Sequence, residues 1–203
     1  MKQKIQEILN AEADAVRNVP LTNPYQKVLS VIHKSQKRHG KLVVSGVGKA
    51  GDVGRKIVST FNSAGISSAF LSPLDARHGD LGLIGAHDVL FLISNSGKTA
   101  DITELVSLAR ALHKKLPTVC LTGTKFSPLA RTADLVLYTG NPKEVCPLNL
   151  TPTASVLAML AIADVLTVLS IEARNYTAAD YKKRHHSGYL GTRAGRKTSP
   201  RDN

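Results

Sequence analysis

Tryptophan is absent from this sequence, and the aromatic residues together make up only 4% of its 203 positions. A core built here must rest on Leu, Ile, Val and Ala. Cysteine is nearly as scarce. Cys120 and Cys146 stand alone in unlike contexts, which excludes a disulfide framework and fits a reducing compartment. Acids are outnumbered, with 15 Asp and Glu against 27 Lys and Arg, a formal net charge of +12. The longest apolar stretch, Val156 to Ile171, is broken by Asp164 and falls short of the ~20 residues that span a bilayer. It reads as a buried core helix. The N-terminus MKQKIQEILNAEADAV has no apolar h-region and carries acids throughout, so it is not read as a signal peptide. Together these absences predict a cytoplasmic protein with no membrane partner.

Hydrophobic residues at 42% and charged residues at 21% are ordinary for a globular chain. At this length roughly 70% of the unfolded surface is buried, enough for a core without staples. The basic excess is concentrated. From Tyr181 onward seven Lys or Arg stand against Asp202 alone, half of the net charge. With no aromatic interleaving, helix-turn-helix or zinc-finger pattern, nucleic acid is not an expected partner. A solvated tail and a mildly basic surface that attracts anionic substrates are expected instead.

Five short apolar runs alternate with helical patterns: KLVVSG (41–46), SAFLS (68–72), DVLFLIS (88–94), PTVCLTG (117–123) and DLVLY (134–138). Continuous runs bounded by turn residues predict strands buried on both faces, as in a parallel sheet. Helical spacing is expected near 2–18, 24–39, 49–64, 99–115 and 127–133, and 151–174 reads as one long apolar helix. The pattern predicts an α/β fold, a doubly wound five-stranded parallel sheet sandwiched by helices in three layers. Residues 1–191 are expected to form one domain and 192–203 a basic, disordered tail. Ligands of such folds bind beyond the carboxyl ends of the strands. The loops after the first, third and fourth runs are rich in Gly, Ser and Thr, and are therefore the candidate site.

Gly46-Val47-Gly48-Lys49-Ala50-Gly51 matches G-x-G-x-x-G between a strand and a helix. The acid that would bind a ribose after the second strand is replaced by Leu71-Ser72-Pro73, so a nicotinamide cofactor is not expected; no other cofactor is expected either. Lys49 is the more informative residue, a cation placed to reach a phosphate, hydroxyl or enediolate oxygen. An ordinary solvent-facing lysine there would oppose the helix dipole. Ser94-Asn95-Ser96-Gly97-Lys98-Thr99 crowds three hydroxyls and free backbone N–H groups at a helix start, a cradle suited to a phosphate monoester. An N-cap alone needs one hydroxyl. The spacing is not that of a P-loop.

These two loops are similar to those of the sugar isomerase (SIS) domain. His78-Gly79-Asp80-Leu81-Gly82, Lys143-Glu144-Val145-Cys146-Pro147-Leu148, Thr151-Pro152-Thr153 and His185-His186-Ser187-Gly188-Tyr189-Leu190-Gly191 narrow the resemblance to the arabinose 5-phosphate isomerases. That family supplies the precursor of 3-deoxy-D-manno-octulosonate, and the resemblance covers roughly residues 28–191. It implies that Ser94, Ser96 and Thr99 hold phosphate with Thr153 or Ser155 close by, and that Ser45, Gly46, Gly48 and Asn95 border the substrate. It implies catalytic positions at Lys49, His78, Asp101, Glu144 and His185. This chain departs from the family pattern with Lys98 in place of an acid, Asp101 in place of Glu, and His186-Ser187 within the usual His-Pro-Gly-Gly. Many members carry paired CBS domains after this region; the chain is read as the form lacking them.

Aldose–ketose isomerisation moves a proton between adjacent carbons through a cis-enediol. It needs a base, a donor to polarise the carbonyl and a group to open the cyclic sugar. Glu144 is the expected base, its pKa raised by a Pro- and Cys-containing loop. His185 or His78 is expected to assist ring opening or shuttle protons, and Lys49 to stabilise the enediolate. His33, His39, His87 and His113 are expected at the surface. No metal-ligand spacing occurs, so no metal is expected. An isomerase of another sugar phosphate and a non-catalytic sugar-phosphate-binding module are the alternatives. The long helix is apolar around much of its circumference and calls for a second partner, so a homo-oligomer is expected, a tetramer by the resemblance. Such an assembly would bring His185 into a neighbour's site.

Overall fold

The computed structural model describes residues 1–195. Helices α1 (Lys2–Arg17) and α2 (Tyr25–Lys37) lead into β1 (Leu42–Gly46), α3 (Lys49–Ser63) and β2 (Ser68–Phe70). A one-turn α4 (Pro73–Ala76) and a 3-10 turn at Asp80–Leu83 precede β3 (Val89–Ile93) and α5 (Ala100–Leu112). Then come β4 (Thr118–Thr122), α6 (Pro128–Thr132), β5 (Leu135–Tyr138), α7 (Ala154–Ala173), α8 (Ala178–Lys182) and α9 (Gly188–Gly195).

The strands form one parallel sheet in the order β2-β1-β3-β4-β5. Alternate residues serve opposite layers. Leu42, Val44, Phe91, Ile93, Val119 and Leu121 pack with Ile32 of α2, Ile57 of α3 and Ile162 of α7. Val43, Leu90, Leu92 and Cys120 pack with Ile102 and Leu105 of α5 and Leu129 of α6. β1, β3 and β4 are buried along their whole length, which is why they read as unbroken apolar runs. The three-layer α/β/α fold expected from the pattern is the fold observed.

Local chemistry sets the element ends. Ser72 and Ser127 cap α4 and α6 by accepting the N–H groups of Asp75 and Ala130, each with a proline in the first turn. Thr177 and Asp180 form a capping box on α8. Isolated one-turn helices like α4 carry too little periodicity to be read from sequence, and the pattern likewise does not mark α8 and α9. Residues 192–195, expected to be part of a disordered tail, instead complete α9; residues 196–203 of that expected tail lie outside the described residues. His33 is half-buried rather than at the surface. Its Nε2 lies 2.9 Å from Ser170 Oγ, and burial and then the Arg174 charge hold its pKa below the usual value. Helix α7 starts three residues later and ends one residue earlier than the expected 151–174, yet its 20 residues are long and apolar enough to cross a membrane by length and composition, where the run from Val156 to Ile171 alone falls short. Half of it is buried against α1, α2, α3 and the sheet, a core role that accounts for its composition.

β1 and β3 are neighbours in the sheet, but β1 leads into α3 on one layer and β3 into α5 on the other. Their carboxyl ends therefore diverge and leave a crevice, the position where open α/β sheets take ligands.

Candidate active site

A cleft of about 320 Å³ opens at this switch point. Val47, Lys49 and Ala50 line it after β1, Ser94, Asn95, Ser96 and Thr99 after β3, and Pro152, Ser155, Val156 and Met159 at the start of α7. Helices α3, α5 and α7 all begin here, and none is capped by the side chain of its own N-cap residue. Their first-turn N–H groups lack partners within the helix and carry partial positive charge. An anion in the cleft meets the starts of α3 and α5, while the start of α7 is taken by a carboxylate of the protein itself.

The hydroxyls expected to form one cradle divide their work. Ser94 is buried, its Oγ 2.9 Å from Thr99 Oγ1 and accepting the Gly97 N–H at 3.1 Å, so it shapes the loop. Gly97 turns that loop with φ +61°. Ser96 lies at the mouth of the loop, and its Oγ accepts the Lys98 N–H at 3.2 Å. The Asn95 carbonyl accepts bonds from the Gly123 N–H and the Thr122 and Thr124 hydroxyls, which ties the loop to the end of β4. Asn95 Oδ1 is buried and has no partner among the described residues. Lys49 is the first residue of α3 and largely exposed, its Nζ 3.9 Å from Asp52. A cation at that end of a helix is unfavourable by itself, and an anionic ligand would relieve it.

Glu144 stands just behind the α7 wall. Its Oε2 accepts the Thr153 N–H at 2.7 Å, the Thr153 hydroxyl at 3.2 Å and the Ser155 N–H at 3.3 Å. It thus caps α7 from the preceding loop. Burial alone would raise its pKa, as expected from sequence. The bonds from the Ser155 side chain, the Thr153 and Ser155 backbone and the Thr153 hydroxyl outweigh burial, so the pKa is lowered instead. Glu144 stays ionised. Two residues on, Cys146 Sγ accepts the N–H groups of Leu150 and Thr151 at 3.2 and 3.1 Å, which brings its thiol to about 7.

Of the positions singled out in the sequence, the cleft gathers Lys49, Ser94, Asn95, Ser96, Thr99 and Ser155, with Thr153 and Glu144 against its wall. Others fall elsewhere. Ser45 is fully buried, and its hydroxyl has no partner among the described residues. Gly46, Gly48 and Asp101 line an adjoining cleft, where Asp101 pairs with Arg77 at 3.0 Å. His78 is exposed between α4 and the 3-10 turn. His185 is stacked on Tyr181 at 3.8 Å, its Nδ1 3.0 Å from the Tyr181 carbonyl. It lies at the other end of the molecule. Tyr176 bonds the Ser63 carbonyl, and the Arg184 guanidinium lies over Gly65, both at the far end of α3 from Lys49. That helix spans roughly 22 Å. Met159 and Val156 line the cleft, although the sequence pattern marks them only as core. For Met159 the available signal is its spacing of four residues from Ser155 on α7; Val156, next to Ser155, has none. Among the described residues no three His, Cys, Asp or Glu group to hold a metal.

Fold and site together define a sugar isomerase domain: residues 36–169 match the SIS domain family, and the chain belongs to it. The arabinose 5-phosphate isomerase KdsD of Salmonella typhi is 46% identical over 152 residues, 75% of this chain and 46% of that protein. The chain spans about half the length of the curated relatives it matches. A Bacteroides fragilis protein, provisionally named a phosphosugar isomerase involved in capsule formation, superposes with a TM-score of 0.91 at 47% identity, covering 93% of this chain and 99% of its own. An Escherichia coli CFT073 protein solved in complex with arabinose 5-phosphate superposes with a TM-score of 0.82 at 32% identity, covering 89% and 95%.

Proposed function

We propose that this chain is an aldose–ketose isomerase that interconverts D-ribulose 5-phosphate and D-arabinose 5-phosphate and feeds 3-deoxy-D-manno-octulosonate synthesis for lipopolysaccharide or capsule. The observation that carries the reading is the switch-point cleft, where a Ser/Thr loop, a lysine and three helix starts meet a carboxylate that stays ionised. The names of the relatives and the sugar-phosphate complex of the E. coli protein supply the sugar.

In this mechanism the phosphate rests on Ser96, Thr99 and the start of α5. Lys49 and the start of α3 face the oxygens of the reacting carbons. The bonds to Glu144 described above fall on Oε2, so Oε1 is the oxygen that takes the C2 proton of the aldose and returns it to C1. A carboxylate is a weak base towards carbon, and the weaker for its lowered pKa. Catalysis therefore depends on Lys49 and the helix starts holding down the charge that develops on the enediolate. His185 opens the ring in a neighbouring subunit's cleft, since within its own chain it lies at the far end of α3. Asp101 and His78 receive no step within one chain. The working form is a cytoplasmic homotetramer with residues 1–191 as its folded unit, a reading supported by the two free cysteines and the exposed apolar faces of α1 and α7.

The full chain incubated with ribulose 5-phosphate in deuterated water should form arabinose 5-phosphate carrying deuterium at C2. Faster turnover of another ketose phosphate would move the assignment to that sugar. Binding without exchange would make the chain a sugar-phosphate sensor, a role the capping duty of Glu144 would also serve.

A further inference from the structure

A second concavity lies at the opposite end of the sheet from the cleft. It is a groove of about 380 Å³ between the C-terminal half of α2 and the entries to β3 and β4. Val31, Val89 and Pro117 give it an apolar floor, and Lys34, Arg38 and Lys115 stand around it. Among the described residues none of these three cations is in an ion pair. The one acid of the groove, Asp88, is buried and already committed: it bonds the Lys41 Nζ at 2.7 Å and the N–H groups of Lys41 and Gly85 at 2.8 Å each. It offers nothing to the other cations. Lys37, Lys114 and His87 add to a basic surface, and no acid occurs in the sequence between Asp14 and Asp52. Ser35 also lines the groove, with its Oγ buried and without a hydrogen-bond partner among the described residues.

Like charges converging on a concave apolar floor repel one another unless an anion bridges them. We infer that this groove binds a small, multiply charged organic phosphate, at a site separate from the sugar-phosphate cleft. A groove of this size selects a compact ligand that its floor half encloses. The phosphate oxygens would meet Arg38 as a fork and Lys34 and Lys115 as point charges. β3 runs directly from this groove at Val89 to the phosphate loop at Ser94, so the two anion sites sit at opposite ends of one buried strand.

Calorimetric titration of the full chain with inorganic pyrophosphate tests the inference. Wild type should show two classes of site. Lys34→Ala/Arg38→Ala/Lys115→Ala, all exposed positions, should weaken one class at least about tenfold and leave isomerase activity unchanged. Ser96→Ala should weaken only the other. The control Lys2→Ala/Lys4→Ala/Arg17→Ala removes equal charge from α1, outside the groove lining, and should bind as wild type does. Equal losses in both triple variants would reduce the effect to the overall basic field and overturn the site, as would wild-type binding in the groove variant.

Discussion

Glu144 performs two tasks with one carboxylate, and substitution should separate them. Glu144→Gln keeps an acceptor for the Thr153 and Ser155 donors but removes the base, so kcat should fall by roughly 100- to 10,000-fold. A loss of stability typical of a weakened helix cap, about 1 kcal/mol, should accompany it. The folded pKa is lowered, so the stabilisation is present above the ordinary carboxylate range and is lost as pH falls through the folded value. The difference in Tm between wild type and Glu144→Gln should accordingly shrink in acid; a constant difference from neutral pH to about pH 3 would refute the capping account. Ser96→Ala should raise KM for ribulose 5-phosphate more than it lowers kcat, because the phosphate is held alike in ground and transition states. About 1–3 kcal/mol is expected, and an unchanged KM would remove Ser96 from the cradle. The two thiols should also differ. Cys146, at about 7, should be alkylated by iodoacetamide with a rise centred near neutral pH, whereas Cys120, buried and pushed up to about 12, should react only on unfolding. The residue types of the site are legible because hydroxyls, lysine and carboxylate cluster in short segments. Their partners are not. Which nitrogen Glu144 caps depends on a helix start nine residues away, and which histidine meets which cleft depends on packing that no local pattern records.

At the scale of elements the sheet is the most readable part, since β1, β3 and β4 are buried on both faces and their runs admit no polar alternation. β2 and β5 are the edges and only partly buried, and β2 spans Ser68–Phe70, shorter than the apolar run 68–72 predicts. The edge has one neighbour to pair with, so the apolar run outlasts the hydrogen-bonded ladder. The long α7 is equally plain, although it starts at Ala154 rather than at Thr151, where Thr153 is taken up by Glu144. The phosphate loop is an element in its own right, and its geometry rests on Gly97. A side chain there would be held at φ +61°, and its Cβ would run into Ser127, the cap of α6. Gly97→Ala should therefore cost about 1–3 kcal/mol of stability or more. It should raise KM together with the loss of Tm, because Ser96 is displaced with the turn. A Gly97→Ala protein with wild-type KM would show that the loop conformation does not set phosphate binding.

The whole molecule leaves apolar surface that its own chain does not cover. Helices α1 and α2 do pack against α7, yet Val165 and Val168 of α7 remain exposed, and α1 presents Ile5, Ile8 and Leu9 outward while burying only Ala15. Tyr189 and Leu190 of α9 are exposed a few residues beyond His185. A stripe of this kind on two adjacent helices suits a self-complementary contact between copies, and closed symmetry is the usual result. Sedimentation at micromolar protein should give a species near four times the 21.7 kDa of one chain, and a clean single-chain species would refute assembly. Assembly matters for chemistry because His185 and Glu144 sit at opposite ends of the same protomer, about the length of α3 apart. If α9 and the segment before it reach into a neighbour, one cleft draws Glu144 from one chain and His185 from another. Glu144→Gln and His185→Ala homo-oligomers should then each be nearly inactive. Mixed after partial dissociation, they should recover a fraction of wild-type activity, since some clefts regain both intact groups. The recovered fraction should rise with the extent of subunit exchange, followed separately by mass. Full exchange with no recovered activity would place both groups in one chain's site, and would require the α8–α9 segment to leave the far end of α3 when substrate binds.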